Sequence, residues 1–421
     1  MTIVFSPSDP KFWSAEDLSD DYRRQLETCH TCRICFNLCP AFPDFFSRID
    51  KVDGDMDRIS KEDLDSFTDL CYQCKLCFLR CPYVPPHEFA IDIPRLVLRA
   101  RAVRAKERGV KMGDKILGDT DRLGEMGART AKLANWGNRN PFTRLLIEKL
   151  VGVDRRRLTP EFHSPTFKKW FQKHPPPFPD SPVAKVALFY TCLVNYNDPS
   201  VGRALMAILA HNSVEVALPD QKCCGMPALD GGDMGAALSK AEFNVHHLSA
   251  YVDRGYDVII PSPTCGYVVK KEYPHLLGTE EAEKVARHSY DVSELLFRLK
   301  KEGHLNLAFR TSPGEVAYHV PCHYKAQMIG NKYVELIRAA GGKVKVIDKG
   351  CSGIDGTWGM KEGNFEMSNH VAENMLSEFK NSPGYQACTD CLLAGLQITQ
   401  GTRMAVKHPL HILAESYGLL Y

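Results

Sequence analysis

The 421-residue chain has no apolar run approaching the roughly 18 residues that a membrane-crossing helix needs, although 44% of its residues are hydrophobic. Contact with a membrane is therefore expected only at its periphery or through a partner. Residues 1–18 are polar and acidic, so no apolar leader marks the chain for secretion. The protein is accordingly expected in the reducing cytoplasm, or peripheral at the inner face of the cell membrane, with its cysteines as thiolates rather than disulfides. No G-x-x-x-x-G-K-S/T occurs and no G-x-G-x-x-G follows a strand; Gly231, Gly232 and Gly235 fit neither pattern. That excludes the usual phosphate loop, and with it a flavin or NAD site of the ordinary kind in this chain. Net charge is only +2, and no nucleic-acid motif accompanies the basic segments, so nucleic acid is not an expected partner. Tryptophan is scarce: the four residues Trp13, Trp136, Trp170 and Trp358 are read as core or interface residues, not as cofactor stacks.

What the chain has instead is cysteine. Sixteen are present, and they are clustered. Cys29-His-Thr-Cys32-Arg-Ile-Cys35-Phe-Asn-Leu-Cys39-Pro40 and Cys71-Tyr-Gln-Cys74-Lys-Leu-Cys77-Phe-Leu-Arg-Cys81-Pro82 share the spacing C-x2-C-x2-C-x3-C-P. This is the spacing of a ferredoxin with two [4Fe-4S] clusters. Three thiolates two residues apart wrap one corner of a cube. The fourth, three residues on and stopped by proline, points toward the other cube. Cys29, Cys32 and Cys35 are therefore expected on one cluster with Cys81, and Cys71, Cys74 and Cys77 on the other with Cys39. Zinc held by four thiolates per site is the competing reading; two copies that both end in Cys-Pro favour iron.

The 31 residues between Cys39 and Cys71 include Ser60-Lys-Glu-Asp63, a capping pattern for a short helix that delivers Cys71. With a further helix expected over 14–28, capped by Ser14, this insert favours a helical ferredoxin domain over the compact β-containing kind. A basic helix is expected over 93–106. Residues 95–173 carry 20 Lys plus Arg against 8 Asp plus Glu. Such a surplus either docks an acidic partner or an anionic membrane, or forms a solvated helical face. Pro175-Pro-Pro-Phe-Pro179 reads as a stiff linker. Beyond it, short apolar strands at 183–190, 214–218 and 257–260 alternate with helices at 201–211 and 235–253. The pattern then repeats, with strands at 316–320 and 343–347 and helices at 332–340 and 364–380. The alternation predicts parallel sheets, and its repetition an internal duplication. The expected order is a two-cluster α-helical ferredoxin domain (1–106), a basic helical connector with the Pro-rich linker (107–180), and two α/β lobes with parallel sheets (181–300 and 301–421).

Each lobe carries cysteines where strands end, the edge at which such sheets place their sites. These are Cys192, Cys223, Cys224 and Cys265 in the first lobe, and Cys322, Cys351, Cys388 and Cys391 in the second. A thiolate is soft and binds iron in a dry pocket. Gly225 and Gly353, after the central cysteines, are expected to let backbone approach inorganic sulfur.

The segments Phe189-Tyr-Thr-Cys192, Lys222-Cys-Cys-Gly-Met-Pro227, Tyr318-His-Val-Pro-Cys322-His323 and Cys351-Ser-Gly-Ile-Asp-Gly356 resemble the CCG-domain iron–sulfur family. That family includes the iron–sulfur C subunit of anaerobic glycerol-3-phosphate dehydrogenase, the lactate-utilisation and glycolate oxidase iron–sulfur proteins, and the catalytic subunit of heterodisulfide reductase. The resemblance implies an electron-transfer subunit. It would take electrons from a flavin-containing dehydrogenase partner and pass them through two ferredoxin clusters, and one or two further iron–sulfur clusters in the lobes, to quinone or another acceptor. It also implies an alternative, a thiol–disulfide reductase acting at a lobe cluster. In heterodisulfide reductase each lobe presents five cysteines to a non-cubane cluster. Here Ser262 stands where the first cysteine of the final C-x2-C would be, and Ser352 replaces the second cysteine of Cys-Cys-Gly. Four cysteines per lobe then remain, enough for an ordinary cubane or for zinc. His319, His323, Asn195 and Tyr196 are read as packing residues, with cluster tuning as the alternative; Met226 and Met360 are read as packing.

Overall fold

The computed structural model describes residues 6–421; the first five residues of the expected ferredoxin domain lie outside that range. Before residue 184 the described residues form helices but no strand. Ser14 accepts the backbone N–H of Asp17 and starts helix α1 (Ala15–Cys32), which runs past the expected end and carries Cys29 and Cys32 in its last turn. Helices α2 (Ala41–Asp50) and α3 (Lys61–Leu70) fill the insert between the motifs. Ser60 and Asp63 form the expected capping box, a feature that stabilises a helix by about 1 kcal/mol. Helix α4 (Leu76–Arg80) lies inside the second motif, and α5 (Ile93–Arg108) follows it. Phe42, Phe45, Phe46 and Phe67 pack with Leu26, Leu96 and Val97 as the core of this domain.

Helices α6 (Met112–Gly118), α7 (Thr120–Arg129), α8 (Ala131–Arg139) and α9 (Pro141–Val151) form the connector. The arginine surplus does not all lie on a free face. Arg99 pairs with Asp21 and Arg101 with Asp230, in buried contacts. Arg144 donates to the carbonyls of Asp154 and Arg157. Arg157 in turn reaches Gln397 and Ser368 beyond residue 360. Arg101 and Arg157 therefore tie the N-terminal half to the lobes, while Arg99 and Arg144 make contacts within it. Trp136, expected in a core or interface, is 57% exposed, because α8 buries none of its residues.

The second half holds two four-stranded sheets, all parallel. In the first, β1 (Ala184–Leu188), β2 (Val214–Ala217), β3 (Asp257–Ile260) and β4 (Ser289–Asp291) lie in the order β2-β1-β3-β4. In the second, β5 (Glu315–His319), β6 (Lys343–Ile347), β7 (Gln386–Cys388) and β8 (Val406–Lys407) lie in the order β6-β5-β7-β8. The identical order is the duplication seen in the sequence. Side chains alternate between faces along each strand. Val186 and Leu188 of β1 share one apolar core with Val316 and Tyr318 of β5, so the lobes face each other across it. Their outer faces are covered separately. The helix Met234–Val252, with Leu98 and Ala102 of α5, covers the first lobe, and the helix Phe365–Lys380 covers the second.

Candidate metal centres

Both ferredoxin motifs turn in the same way. Arg33 and Lys75, each between the second and third cysteine, adopt left-handed φ values of 52° and 64°. These turns aim the cysteines inward, and the motifs exchange their last members. Burial pushes the Cys29 thiol up, and the neighbouring Cys35, Cys81 and Cys32 add to it. Cys35 is pushed up to about 11 by burial, then by Cys81 and Cys32. Cys81 thus stands with the first motif. Burial and then Cys71 push Cys39 up to about 12. One enclosed cavity is lined by Cys39, Cys71, Cys74 and Cys77 together with Leu38, Phe42, Phe67 and Ile93.

In the first lobe the loops at the strand ends converge. Cys192 follows β1 and opens a π-helical turn, Leu193–Asn197, a local form common at functional sites. Cys223 and Cys224 lie beyond β2, before Gly225, whose φ of +94° suits glycine. Cys265 lies in the short helix Pro263–Tyr267 beyond β3. Hydrogen bonds from Cys192 and Cys224 pull the Cys223 thiol well below its ordinary value; burial opposes them and Lys240 assists. Cys223 and Cys265 in turn push the Cys224 thiol up. The four cysteines are therefore one group. The connector helps to hold it: Asp121 of α7 accepts the Cys223 N–H at 2.8 Å and pairs with Lys240. Ile116, Leu117, Leu123, Ile147 and Val151, from α6, α7 and α9, wall a cavity of about 300 Å³ lined also by these four cysteines and by Cys391. In the sequence this stretch shows only weak helical patterning. Asp121 carries no local signal, because its partner is 102 residues away.

In the second lobe the Cys322 and Cys351 sulfurs lie 3.6 Å apart, and Cys351 accepts the Gly353 N–H at 3.4 Å. Cys74, Cys39, Tyr72 and Trp358 join them in one buried cluster, and the Trp358 indole donates to the Asp69 carbonyl at 2.7 Å. Burial and then Cys351 hold the Cys74 thiol well above its ordinary value. The second ferredoxin set and the second lobe are thus in contact. Cys391 caps the helix Leu392–Thr402. Its thiol is pushed up to about 12 by burial, with Asp390 and Cys351 adding to it. Cys388 is not brought to this group: it ends β7 opposite Tyr318, inside the apolar core between the lobes.

The polar candidates behave as packing residues. His323 donates from Nε2 to the Gln73 carbonyl at 2.9 Å and accepts at Nδ1 from Thr264, also at 2.9 Å, which clamps the ferredoxin domain to both lobes. Burial pushes His319 down to about 3. Asn195 accepts the Lys168 N–H at 2.8 Å, Tyr196 lines the 300 Å³ cavity, and Met226 and Met360 are buried. No group of three or more His, Cys, Asp or Glu side chains among the described residues is placed to hold a single metal ion. The thiols of the second ferredoxin set and of the first lobe instead line cavities, a donor set suited to multi-iron clusters.

Residues 22–107 match the Citrate utilization protein B Fer4-like domain, and residues 186–270 and 316–394 each match a Cysteine-rich domain. Over 404 residues the chain is 30% identical to the C subunit of anaerobic glycerol-3-phosphate dehydrogenase from Escherichia coli (strain K12), covering 93% of this chain and 98% of that protein. The chain belongs to the family of that protein. Lactate utilization protein A of Geobacillus thermodenitrificans (strain NG80-2) is 29% identical over 205 residues, 46% of this chain and 80% of that one. Its counterpart in Bacillus cytotoxicus is 28% identical over 244 residues, 54% of this chain and 98% of that one. Fer4-like and cysteine-rich domains in one chain mark an iron–sulfur protein. Among the described residues, no helix is long and apolar enough to cross a membrane.

Proposed function

We propose that the chain is the electron-transfer subunit of an oxidoreductase complex, carrying electrons from a flavin-containing dehydrogenase to a quinone. Two [4Fe-4S] clusters form the wire, one on Cys29, Cys32, Cys35 and Cys81, the other on Cys71, Cys74, Cys77 and Cys39. The lobes hold the terminal station. One cluster sits on Cys192, Cys223, Cys224 and Cys265 beside the apolar cavity, and another near Cys322 and Cys351. Domain limits at 106, 180 and 300 belong to the same reading. The observation that carries it is the burial of Cys74 against Cys322 and Cys351, which supports reading the lobe cysteines as the end of the wire. When bound, the clusters supply one-electron chemistry. The chain's own part is to hold them dry, to set their potentials through N–H groups and nearby cations, and to exclude water from the cavity.

Membrane contact fits the connector. Met112, Met126, Leu133, Trp136, Phe142 and Leu150, on α6 to α9, are each more than half exposed. Lys111, Lys115, Arg122, Lys132 and Lys149 are exposed in the same segment. Apolar side chains interleaved with exposed cations suit the surface of an anionic bilayer. The protein is then peripheral, with the cavity behind its docking helices. Anaerobically purified protein should hold about 16 iron atoms for four cubanes and couple a reduced flavoprotein dehydrogenase to a quinone analogue. About 8 iron atoms with zinc in the lobes would remove the terminal station. Turnover of a disulfide in place of quinone would favour the reductase alternative. Phosphatidylserine vesicles should sediment the protein but not a Leu133→Glu, Phe142→Glu variant; equal sedimentation of both would overturn the membrane part.

A further inference from the structure

We infer that the second-lobe cluster is held by three thiolates, Cys322, Cys351 and Cys391, and by the Asp355 carboxylate, while Cys388 is a structural core residue. The inference rests on the reading above that this lobe holds a cluster.

The two lobes can be matched residue by residue through their ladders. Val186 pairs with Asp257 and Leu188 with Ile259 in the first lobe; Val316 pairs with Gln386 and Tyr318 with Cys388 in the second. Cys388 is therefore the counterpart of Ile259, and both lie in the same apolar core. Three residues further on, Ser262 corresponds to Cys391, and each is the N-cap of the helix that follows. The next three bring Cys265 opposite Ala394, then Gly266 opposite Gly395. The ladders with β2 and β6, in which Val186 pairs with Val216 and Val316 with Val344, set Cys223 opposite Cys351, Cys224 opposite Ser352 and Gly225 opposite Gly353. The C-x2-C spacing invites a match of Cys388 with Ser262, but the strand register displaces it by three residues. The first lobe then has four thiols at its site and the second only three.

Asp355 is placed to be the fourth donor. Its side chain is 2% exposed, and its Oδ2 has no hydrogen-bond partner. It lies two residues beyond Gly353, whose N–H donates to the Cys351 sulfur at 3.4 Å. The next two residues, Gly356 and Thr357, line the same cavity as Cys391. Nε2 of His323, the residue after Cys322, lies 3.9 Å from the other Asp355 oxygen but donates to the Gln73 carbonyl, and the cations around Asp355 are engaged elsewhere. Lys75 contacts Gln73 and Glu272; Arg101 contacts Asp230 and the carbonyls of Thr68 and Cys71. A buried carboxylate in this condition lacks a cation, which iron supplies. Loading releases the protons of three thiols and one carboxyl and needs no change of oxidation state in the protein.

The test measures iron and sulfide per chain, with redox-poised EPR, on the whole anaerobically purified protein. Cys388→Val, which refills the core, should leave iron and every EPR signal unchanged. Cys391→Ala should lower iron by up to about four atoms and alter one signal. Asp355→Asn should alter that same signal, and Asp355→Cys should keep the iron while shifting the midpoint potential. Loss of a cluster in folded Cys388→Val, or an unchanged signal and potential in both Asp355 variants, would overturn the assignment. Unchanged iron in Cys322→Ala would instead remove the cluster itself, and with it the second-lobe part of the proposed function.

Discussion

The N-terminal motifs and the C-terminal lobes are both duplications, but they record their chemistry differently. In the motifs all eight cysteines fall in two short stretches of equal spacing. In the lobes the cysteines sit on loops of unequal length: 30 and 40 residues separate the steps in the first lobe, 28 and 36 in the second. What is shared there is the ladder of the sheet, not the spacing. A pair that looks like a motif, Cys388-x2-Cys391, is split by the ladder into one core residue and one that lines the 300 Å³ cavity. Cysteines grouped in short stretches can be located from sequence directly; those assembled at strand ends need the strand register first.

The hardest test of the contiguous half is to break its crossing. Cys39 belongs to the first motif but lines the cavity of Cys71, Cys74 and Cys77. Cys39→Ser should therefore disturb the cluster of the second motif, with a loss of up to about four irons, and leave the EPR signal of the first in place. Electron delivery to the lobes should fall with it, since that set borders Cys322 and Cys351. A change confined to the first motif's signal would show that ligation stays within each motif.

The seam between the halves offers a second, smaller test. Lys75, inside the second motif, is fully buried and lies 3.5 Å from Glu272 of the first lobe. Burial alone would raise the Glu272 carboxyl; Arg95 and Lys75 hold it down at about 2. Removing one partner of such a pair strands a buried charge. Lys75→Met should cost about 3 kcal/mol, at the low end for a broken buried pair because Arg95 stays 3.2 Å from the other oxygen. Lys75→Met with Glu272→Gln should regain most of the lost melting temperature. A double variant no more stable than the single would place the role of Lys75 at the cluster and not at the seam.

The same contrast explains what could be read in advance. The Ser14 and Ser60 caps, the helical insert and the strands at 214–218, 257–260 and 343–347 follow from local patterns of a few residues, and the structure has them. Strands β4 and β8 have three and two residues, too few for an alternating pattern to register. The support that Asp121 gives to the Cys223 loop, and the bond from Arg157 to Ser368, 211 residues away, join residues with no common local context. Composition showed that the 95–173 segment is basic. Only the fold separates Arg99, Arg101, Arg144 and Arg157, which are buried, from the exposed cations of the connector.

The smallest expected effect probes the seam by pH. Burial first, and then Arg95, hold the His275 imidazole down at about 4, against the pull of Glu272. An unhindered imidazole titrates near 6.5. Between those values the unfolded chain carries a proton that the native chain lacks. The stability tied to His275 is therefore complete above about pH 6.5 and is lost progressively as pH falls toward 4. From pH 6.5 to 5 this amounts to at most about 2 kcal/mol. The melting temperature of the wild-type protein should drop more steeply over that interval than that of His275→Gln, which has nothing to protonate. Parallel profiles would mean that the acid sensitivity of the fold lies elsewhere, and that the seam near Arg95 and Glu272 opens before His275 can titrate.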